Sequence, residues 1–412
     1  MKRLQVLLSV LVLSSLVFVA CTPKAPAFEC TDAIGCVDIA PGDPIHFAYI
    51  QAVSGPVASL GTTNVNGAQL AIDEKGGQLL GHPIQFDGED SLCSAEGGQA
   101  AGTKVASDPT VIAILGTTCS SEARSAMPLV ADAGMVMMSS SNTNPDLTNP
   151  DHPDHHVGYF RTAHNDLFQG RIAAEYAYNE LGLTKAATVH DGSPYADGLR
   201  KVFESVFAEL GGTITSSEAV NVGDTDFKPV LTTIAAGGAE IIYFPIFEPE
   251  GNSFASQKCE VPGLKNTPLL AAEVFSTPGF AGTAGSCSVG MYLSSPYVAG
   301  DAGANFLASY KAKFGEDPAS GFGPHSYDAM NIFFAAIEKV AVVDEDGTVH
   351  IGRQALRDAV FATKAFSGLT GSLSCDANGD CATGEALAVY QISQAMVDGS
   401  ENLTTSTPIW QP

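Results

Sequence analysis

The chain has 412 residues, 45% of them hydrophobic, and a formal charge of −25 at neutral pH. That length exceeds one comfortable core and favours two lobes. So large an excess of acid makes nucleic acid and anionic membrane surfaces poor partners, and suits a protein that must stay soluble outside the cell.

Residues 1–20 read as an export signal. Lys2 and Arg3 precede an apolar run, and small residues precede Cys21; the run is too short and wrongly flanked for a lasting transmembrane helix. "FVAC" (18–21) resembles a bacterial lipobox, with Phe18 where such boxes usually carry Leu. The resemblance implies that Cys21 becomes the lipidated N-terminus; the alternative is cleavage elsewhere. Each buried CH₂ of an acyl chain contributes about 0.8 kcal/mol, and two or more chains make anchoring stable. Residues 21–43 are then the lipidated cysteine and a tether, Pro-rich at "TPKAPAF". No other segment is long and apolar enough to cross a bilayer.

From residue 45 strand and helix signals alternate. "IHFAYIQAV" reads as a strand, "GAQLAIDEKGG" as a helix over 67–77, "HPIQFDGED" as a strand and "GGQAAGTKVAS" as a helix. "VIAILG", "SEARSAMPLVADAG" and "MVMMSSS" continue the pattern, which implies a parallel sheet covered on both faces. The rhythm restarts at "DLFQGRIAAEYAYNELG" (166–182), a predicted helix in which Asp166 and Gln169 have capping-box spacing. Three helical patterns at 303–315, 326–343 and 352–365 outnumber the strands near them, which suggests that the chain crosses back to complete the first lobe. The dinucleotide fingerprint and the P-loop are both absent, and no cofactor is implied.

Nine cysteines occur. With Cys21 assigned to lipid, an even set remains, which in an exported chain suggests disulfides. Spacing favours Cys30–Cys36, Cys93–Cys119, Cys259–Cys287 and Cys375–Cys381, though sequence alone leaves the pairing open. A bridge closing 93 to 119 would stabilise by roughly 3 kcal/mol on the chain-entropy model. Zinc is the rival use, but no C-x-x-C pair occurs.

"VIAILGTTCSSEARSA" joins a strand end to a helix start, where open α/β sheets place ligands. Ser120 and Ser121 fall at the helix N-terminus, whose free N–H groups attract an anion by about 0.3–1 kcal/mol from the dipole. The next strand ends in a second hydroxyl-rich turn at Ser141, Asn142 and Thr143. Together these look like a carboxylate pocket, although serines that merely cap a helix would look the same. A nucleophile at Cys119 or Ser120 would need a base. None of the nine histidines sits in a hydrolase signature, and G-x-S-x-G does not occur.

"VSGPVASLG" (53–61), "GAQLAIDEKGG", "GTTCSSEARSA", "SSSNTNPDLT", "FRTAHNDLFQG" (160–170), "VHDGSPYADGL" (189–199) and "FGPHSYDAMN" (322–331) follow in one order. Over residues 44–395 this set resembles a type I periplasmic solute-binding protein, of the branch that binds leucine, isoleucine and valine for ABC importers. The resemblance implies an α/β fold of two doubly wound parallel-sheet lobes joined by three crossovers. Lobe 1 would span 44–161 plus 297–370, and lobe 2 would span 162–296 plus 371–412. It implies a binder rather than an enzyme, a monomer handing its ligand to a membrane permease.

Carried over by position, Ser120 and Thr143 would hold a ligand carboxylate, with Ser141 and Asn142 beside them. Tyr195 would close over the amino acid, and Glu273 would take the α-ammonium; the plain alternative for Glu273 is a solvated acid. Phe247 stands where the family commonly has tyrosine, and Leu60 where an aromatic is frequent, so a more apolar or differently shaped ligand group is implied. Phe322 would line the same pocket or simply sit in the core. A ligand sensor of the same fold, or a binder of an amide, urea or aromatic acid, is the alternative.

Two further constellations stand apart. "NPDHPDHH" (149–156) gathers three histidines and two aspartates, ligand types that suit zinc, but Pro150 and Pro153 make it read as a connecting loop. "CDANGDCATGE" (375–385) has Asp376, Asn378 and Asp380 at alternate positions, like the first half of a calcium loop, yet Leu387 stands where the closing Glu belongs. A disulfide-clamped turn is the better reading, and no metal is assigned.

Overall fold

Strands buried on both faces read as continuous apolar runs, and the chain opens on such strands. The structure, a computed structural model, describes residues 28–277, 279–382 and 387–412. The export signal, Cys21 and the tether as far as residue 27 lie outside the described residues. Residues 28–31 carry no regular structure, and Asp32–Pro412 forms one unit.

β1 (Cys36–Ile39) precedes β2 (Ile45–Gln51), in which only Tyr49 is less than fully buried. Then come α1 (Ala58–Glu74), β3 (Gln78–Leu79), β4 (His82–Asp90), α2 (Ala95–Ala106), β5 (Val111–Gly116), α3 (Ser120–Asp132), β6 (Val136–Ser139) and β7 (Tyr159–Arg161). They build a six-stranded sheet in the order β3-β4-β2-β5-β6-β7. β2 is central, with Phe47 opposite Phe86 on β4 and Ala48 opposite Ile114 on β5. α1 starts nine residues before the expected Gly67, because the helix continues upstream through "ASLGTTNVN". α2 and α3 lie against each other through Gly98, where a Cβ would come within 2.6 Å of Glu122 O.

α4 (Asp166–Glu175) begins the second series and runs into a π turn at Tyr176–Glu180. Its cap is Asn165, whose Oδ1 accepts from Leu167 N at 3.0 Å. The expected capping box is therefore absent, and Gln169 is free for other work. β8 (Lys185–His190), α5 (Pro194–Glu209), β9 (Thr213–Ala219), α6 (Lys228–Gly237), β10 (Ile241–Tyr243), α7 (Glu250–Lys258), β11 (Leu269–Ala271), α8 (Phe280–Ala284) and β12 (Tyr292–Pro296) follow. Stacked rings fill this lobe: Phe203 on Tyr243 at 4.4 Å and Phe275 on Phe280 at 4.3 Å between centroids.

The chain then returns to the first lobe. α9 (Gly300–Phe314) and α10 (Gly323–Val340) pack on α1, and Phe333 and Phe334 of α10 meet Phe47 of β2. β13 (Val342–Val343) and β14 (Val349–Gly352) join β1 in a small antiparallel sheet ahead of α11 (Arg353–Phe361). β15 (Phe366–Gly368) and β16 (Gly371–Leu373) form a hairpin. The sequence boundary put 371 onward with lobe 2, but Leu373, Cys375 and Cys381 pack in the first lobe's core. Arg161 draws this turn in: its N–H donates to Gly379 O, and Cys381 N donates to Arg161 O.

β17 (Leu387–Gln391) completes the second sheet, in the order β17-β12-β11-β10-β8-β9, and is antiparallel to β12. The two lobes are thus linked at 162–165, at 297–299 and again after Ala382. Beyond α12 (Gln394–Val397) the tail bridges back to β17, with Val389 N donating to Trp410 O at 2.9 Å. Cys93–Cys119, Cys259–Cys287 and Cys375–Cys381 are bonded, and Cys30 and Cys36 are each in a disulfide.

Candidate functional site

The stretch after β5 is shaped by buried side chains on three elements. Gln51 at the end of β2 accepts from Thr118 Oγ1 at 2.7 Å and from Asn64 Nδ2 of α1 at 3.0 Å. Glu122, fully buried in the first turn of α3, accepts from the N–H groups of Thr118 and Cys119, each at 3.0 Å. Burial pushes its carboxyl up to about 7 even against these hydrogen bonds. With those two amides satisfied, the N–H groups of the first helical turn, from Ser120 onward, remain without intrahelical partners.

The second turn is tied down in the same way. Ser141 Oγ donates to Thr118 O at 3.0 Å and accepts from Asn64 Nδ2 at 2.8 Å. Asn142 Oδ1 accepts from Thr117 N, Thr117 Oγ1 and Tyr159 OH. Asn142 therefore knits strand ends together and is not a lining residue. Thr143 O accepts from Asp166 N at 2.9 Å, and its buried hydroxyl faces the Asp166 carboxyl.

Leu60, Ser120, Ser141, Tyr195, Phe247, Glu273 and Phe322 line one narrow cavity between the lobes, joined by Thr118, Cys119 and Val274. Ser120 faces it from the start of α3. Tyr195 and Glu273 face it from the second lobe, where Tyr195 OH donates to Glu273 Oε1 at 2.9 Å. Glu273 is only 2% exposed, so it is not a solvated acid. Phe247 lies 5.2 Å from the Tyr195 ring and packs across the cleft on Ala52, Val57, Leu60 and Cys119. Seven of the nine predicted contact residues share this wall; Asn142 and Thr143 stand behind it.

Two acids make the second-lobe side unusual. Glu273 is pushed up from the ordinary carboxyl range, chiefly by burial, although Gln169 and Tyr195 donate to it. Asp166, at the start of α4, is pushed well up by burial and then by the Glu273 charge, against the opposing pull of Thr143 and the Arg161 charge. A buried acid without a cation is costly, and an ammonium group in the cavity relieves Glu273. Sequence reasoning assigned Asp166 and Gln169 to capping alone. Their spacing gave no other signal, because Glu273 is more than a hundred residues away.

Among the described residues no histidine lines the cavity, and the Cys119 thiol is consumed in its disulfide. The other two constellations lie elsewhere. Asp146 and Asp154 meet the Arg124 guanidinium at 3.2 and 2.5 Å, beside His152. Asp380 is paired with the buried Arg161 and accepts from Asn165 Nδ2 at 2.9 Å. Among the described residues, no helix is long and apolar enough to cross a membrane.

A pair of mainly parallel-sheet lobes facing each other across a cavity has counterparts. The family described as Periplasmic binding protein matches residues 44–397. The chain belongs to that family. Its members bind solutes outside the cytoplasm and do not catalyse reactions. The chain is 28% identical over 345 residues to the leucine-, isoleucine-, valine-, threonine- and alanine-binding protein of Pseudomonas aeruginosa, covering 82% of this chain and 87% of that one. Among solved structures it resembles the branched-chain amino acid transporter substrate-binding protein LivJ of Streptococcus pneumoniae in complex with isoleucine. The TM-score is 0.74 at 24% identity, with 90% of this chain and 100% of that one covered. A solute-binding protein of an ABC transporter from R. palustris, in complex with benzoate, aligns with a TM-score of 0.70 at 19% identity, covering 85% and 94%. These last two likenesses establish the fold.

Proposed function

We propose that the chain is the capture subunit of an ABC importer, binding an α-amino acid with an apolar side chain and delivering it to a membrane permease. The supporting observation is the opposition across one cavity of the α3 N-terminus with Ser120 and the buried pair Tyr195–Glu273. The first suits a carboxylate; the second suits an ammonium. Phe247, Leu60 and Phe322 leave only apolar surface for a side chain. Capture works by population shift, because a ligand touching both lobes favours the closed form. Micromolar affinity corresponds to about −8 kcal/mol, reasonable for one buried zwitterion. Cys21 serves as the lipid anchor, Thr143 and Asp166 support the two ends of the ligand, and the subunit acts as a monomer.

Calorimetric titration tests this reading, using protein unfolded and refolded to strip ligand, against the twenty amino acids. Heat from leucine, isoleucine or valine supports it; silence from a folded protein refutes it. An aromatic acid is the second reading, favoured by the same three apolar side chains. A carboxylate without an ammonium would leave Glu273 uncompensated, which ranks it lower.

A further inference from the structure

His164 and Gln169 stand directly behind the cavity acid. Gln169 Nε2 donates to Glu273 and to Ser294 O, so its Oε1 must accept, and His164 Nε2 lies 2.6 Å from that oxygen. An amide oxygen only accepts, which places the imidazole proton on Nε2 and leaves Nδ1 as a buried lone pair with no partner among the described residues. The His164 ring stacks on Phe322 at 6.0 Å between centroids, and Phe322 meets His325 at 5.8 Å. His325 Nδ1 donates to Thr162 O at 2.7 Å, while its buried Nε2 also lacks a partner. Gln169, Glu273 and Ser294 belong to the second lobe, Phe322 and His325 to the first, and His164 lies in the crossover between them.

We propose that His164 and Gln169 are positioning residues that aim Glu273 at the ligand ammonium, and that they make capture sensitive to protons because protonated His164 fits only the open cleft. This rests on the amino-acid reading above. Besides His325, the charge facing His164 is that of Arg161, already paired with Asp380, and Gln169 stands between the ring and the cavity acid Glu273. In the closed form burial holds His164 down to about 3 and His325 to about 4. Opening separates the Phe322 cover from His164 and admits water to Nδ1, returning the imidazole toward an ordinary value of about 6.5. Protons then bind the open form and not the closed one. Linkage gives up to about 30-fold weaker binding at pH 5.0 than at pH 7.5 for each such histidine.

The experiment is calorimetric titration with leucine at pH 7.5 and 5.0, on the wild type, H164A and H164Q, each checked for a folded spectrum. The wild type should lose at least tenfold in affinity at pH 5.0. H164A should bind at least tenfold more weakly at pH 7.5. H164Q restores a donor to Gln169 and should recover most of that loss while showing a much shallower pH response. Equal pH responses in the wild type and H164Q overturn the relay and leave the amino-acid reading standing. No binding of leucine, or of any other of the twenty amino acids, to the wild type at pH 7.5 overturns both.

Discussion

Replacing Glu273 by Gln preserves shape and removes one charge. Glu273 accepts from Tyr195 OH at 2.9 Å and from Gln169 Nε2, and it is 2% exposed. In the variant one oxygen can still accept from Tyr195, but the new amide N–H₂ faces the Gln169 N–H₂. Gln169 cannot turn over to help, since its Oε1 is held by His164. A ligand ammonium buried there then meets a donor in place of a carboxylate. Removing one member of a buried charge pair costs about 2–5 kcal/mol, so about 3 kcal/mol, roughly 160-fold in Kd, is the central expectation. The ligand-free protein should behave oppositely. Asp166 loses a like-charged neighbour, so its melting temperature should hold or rise. Titration with the best-bound amino acid, paired with scanning calorimetry of the free protein, measures both. Affinity within threefold of the wild type would refute the ammonium role of Glu273, and a large fall in melting temperature would mean that its role is structural.

Glu122→Gln should stabilise the protein at pH 8 and do little at pH 5. A folded-state carboxyl raised to about 7 lets the native state hold its proton longer, so stability falls as pH rises from about 4.5 to 7. The shift is worth at most about 3 kcal/mol, and the variant should flatten that slope in thermal melts across pH. Replacing Cys93 and Cys119 together by alanine should cost about 3–4 kcal/mol for a bridge spanning 26 positions. A melting temperature unchanged in that variant would contradict it. His350→Asn should destabilise more at pH 6 than at pH 9. Burial opposes the charged imidazole, but Asp38 and Asp344 outweigh it and raise its pKa. Their contribution is complete below the unfolded value and fades as pH climbs past the raised one. Because both aspartates are substantially exposed, the effect should stay under about 1 kcal/mol; equal destabilisation at the two pH values would exclude it.

Periodicity carried most of the fold. "VIAILG" is a strand because its whole run is buried, and Ser120 falls at a helix start because small polar residues follow a strand there. Glu273 and Tyr195 were found through motif order rather than physics, since nothing local distinguishes a cavity acid from a surface one. Gln51 and Asn64 escaped notice, and Gln169 was read only as a cap, for a related reason. Each is a polar residue within or beside a regular element, and its partner is supplied by a distant segment. Asn142 misled in the other direction. A hydroxyl- and amide-rich turn looks like a ligand cradle, yet its amide oxygen is spent on Thr117 and Tyr159. The Asp380 turn resembled half of a cation loop because sequence does not reveal that Arg161 sits against it.

The way the two lobes interleave also fixes when each can be finished. Phe47 on β2 finds its packing partners in Phe333 and Phe334, nearly three hundred positions later, and β12 waits for β17. Contacts at such separations form late, after loop closure has been paid for. A ribosome emitting this chain therefore releases a first sheet whose Phe47 face is only partly covered, by α1, until α10 emerges. A polypeptide that is slow to become compact stays threadable by a translocation channel for longer, which suits a family whose members work outside the cytoplasm, where cysteines can oxidise.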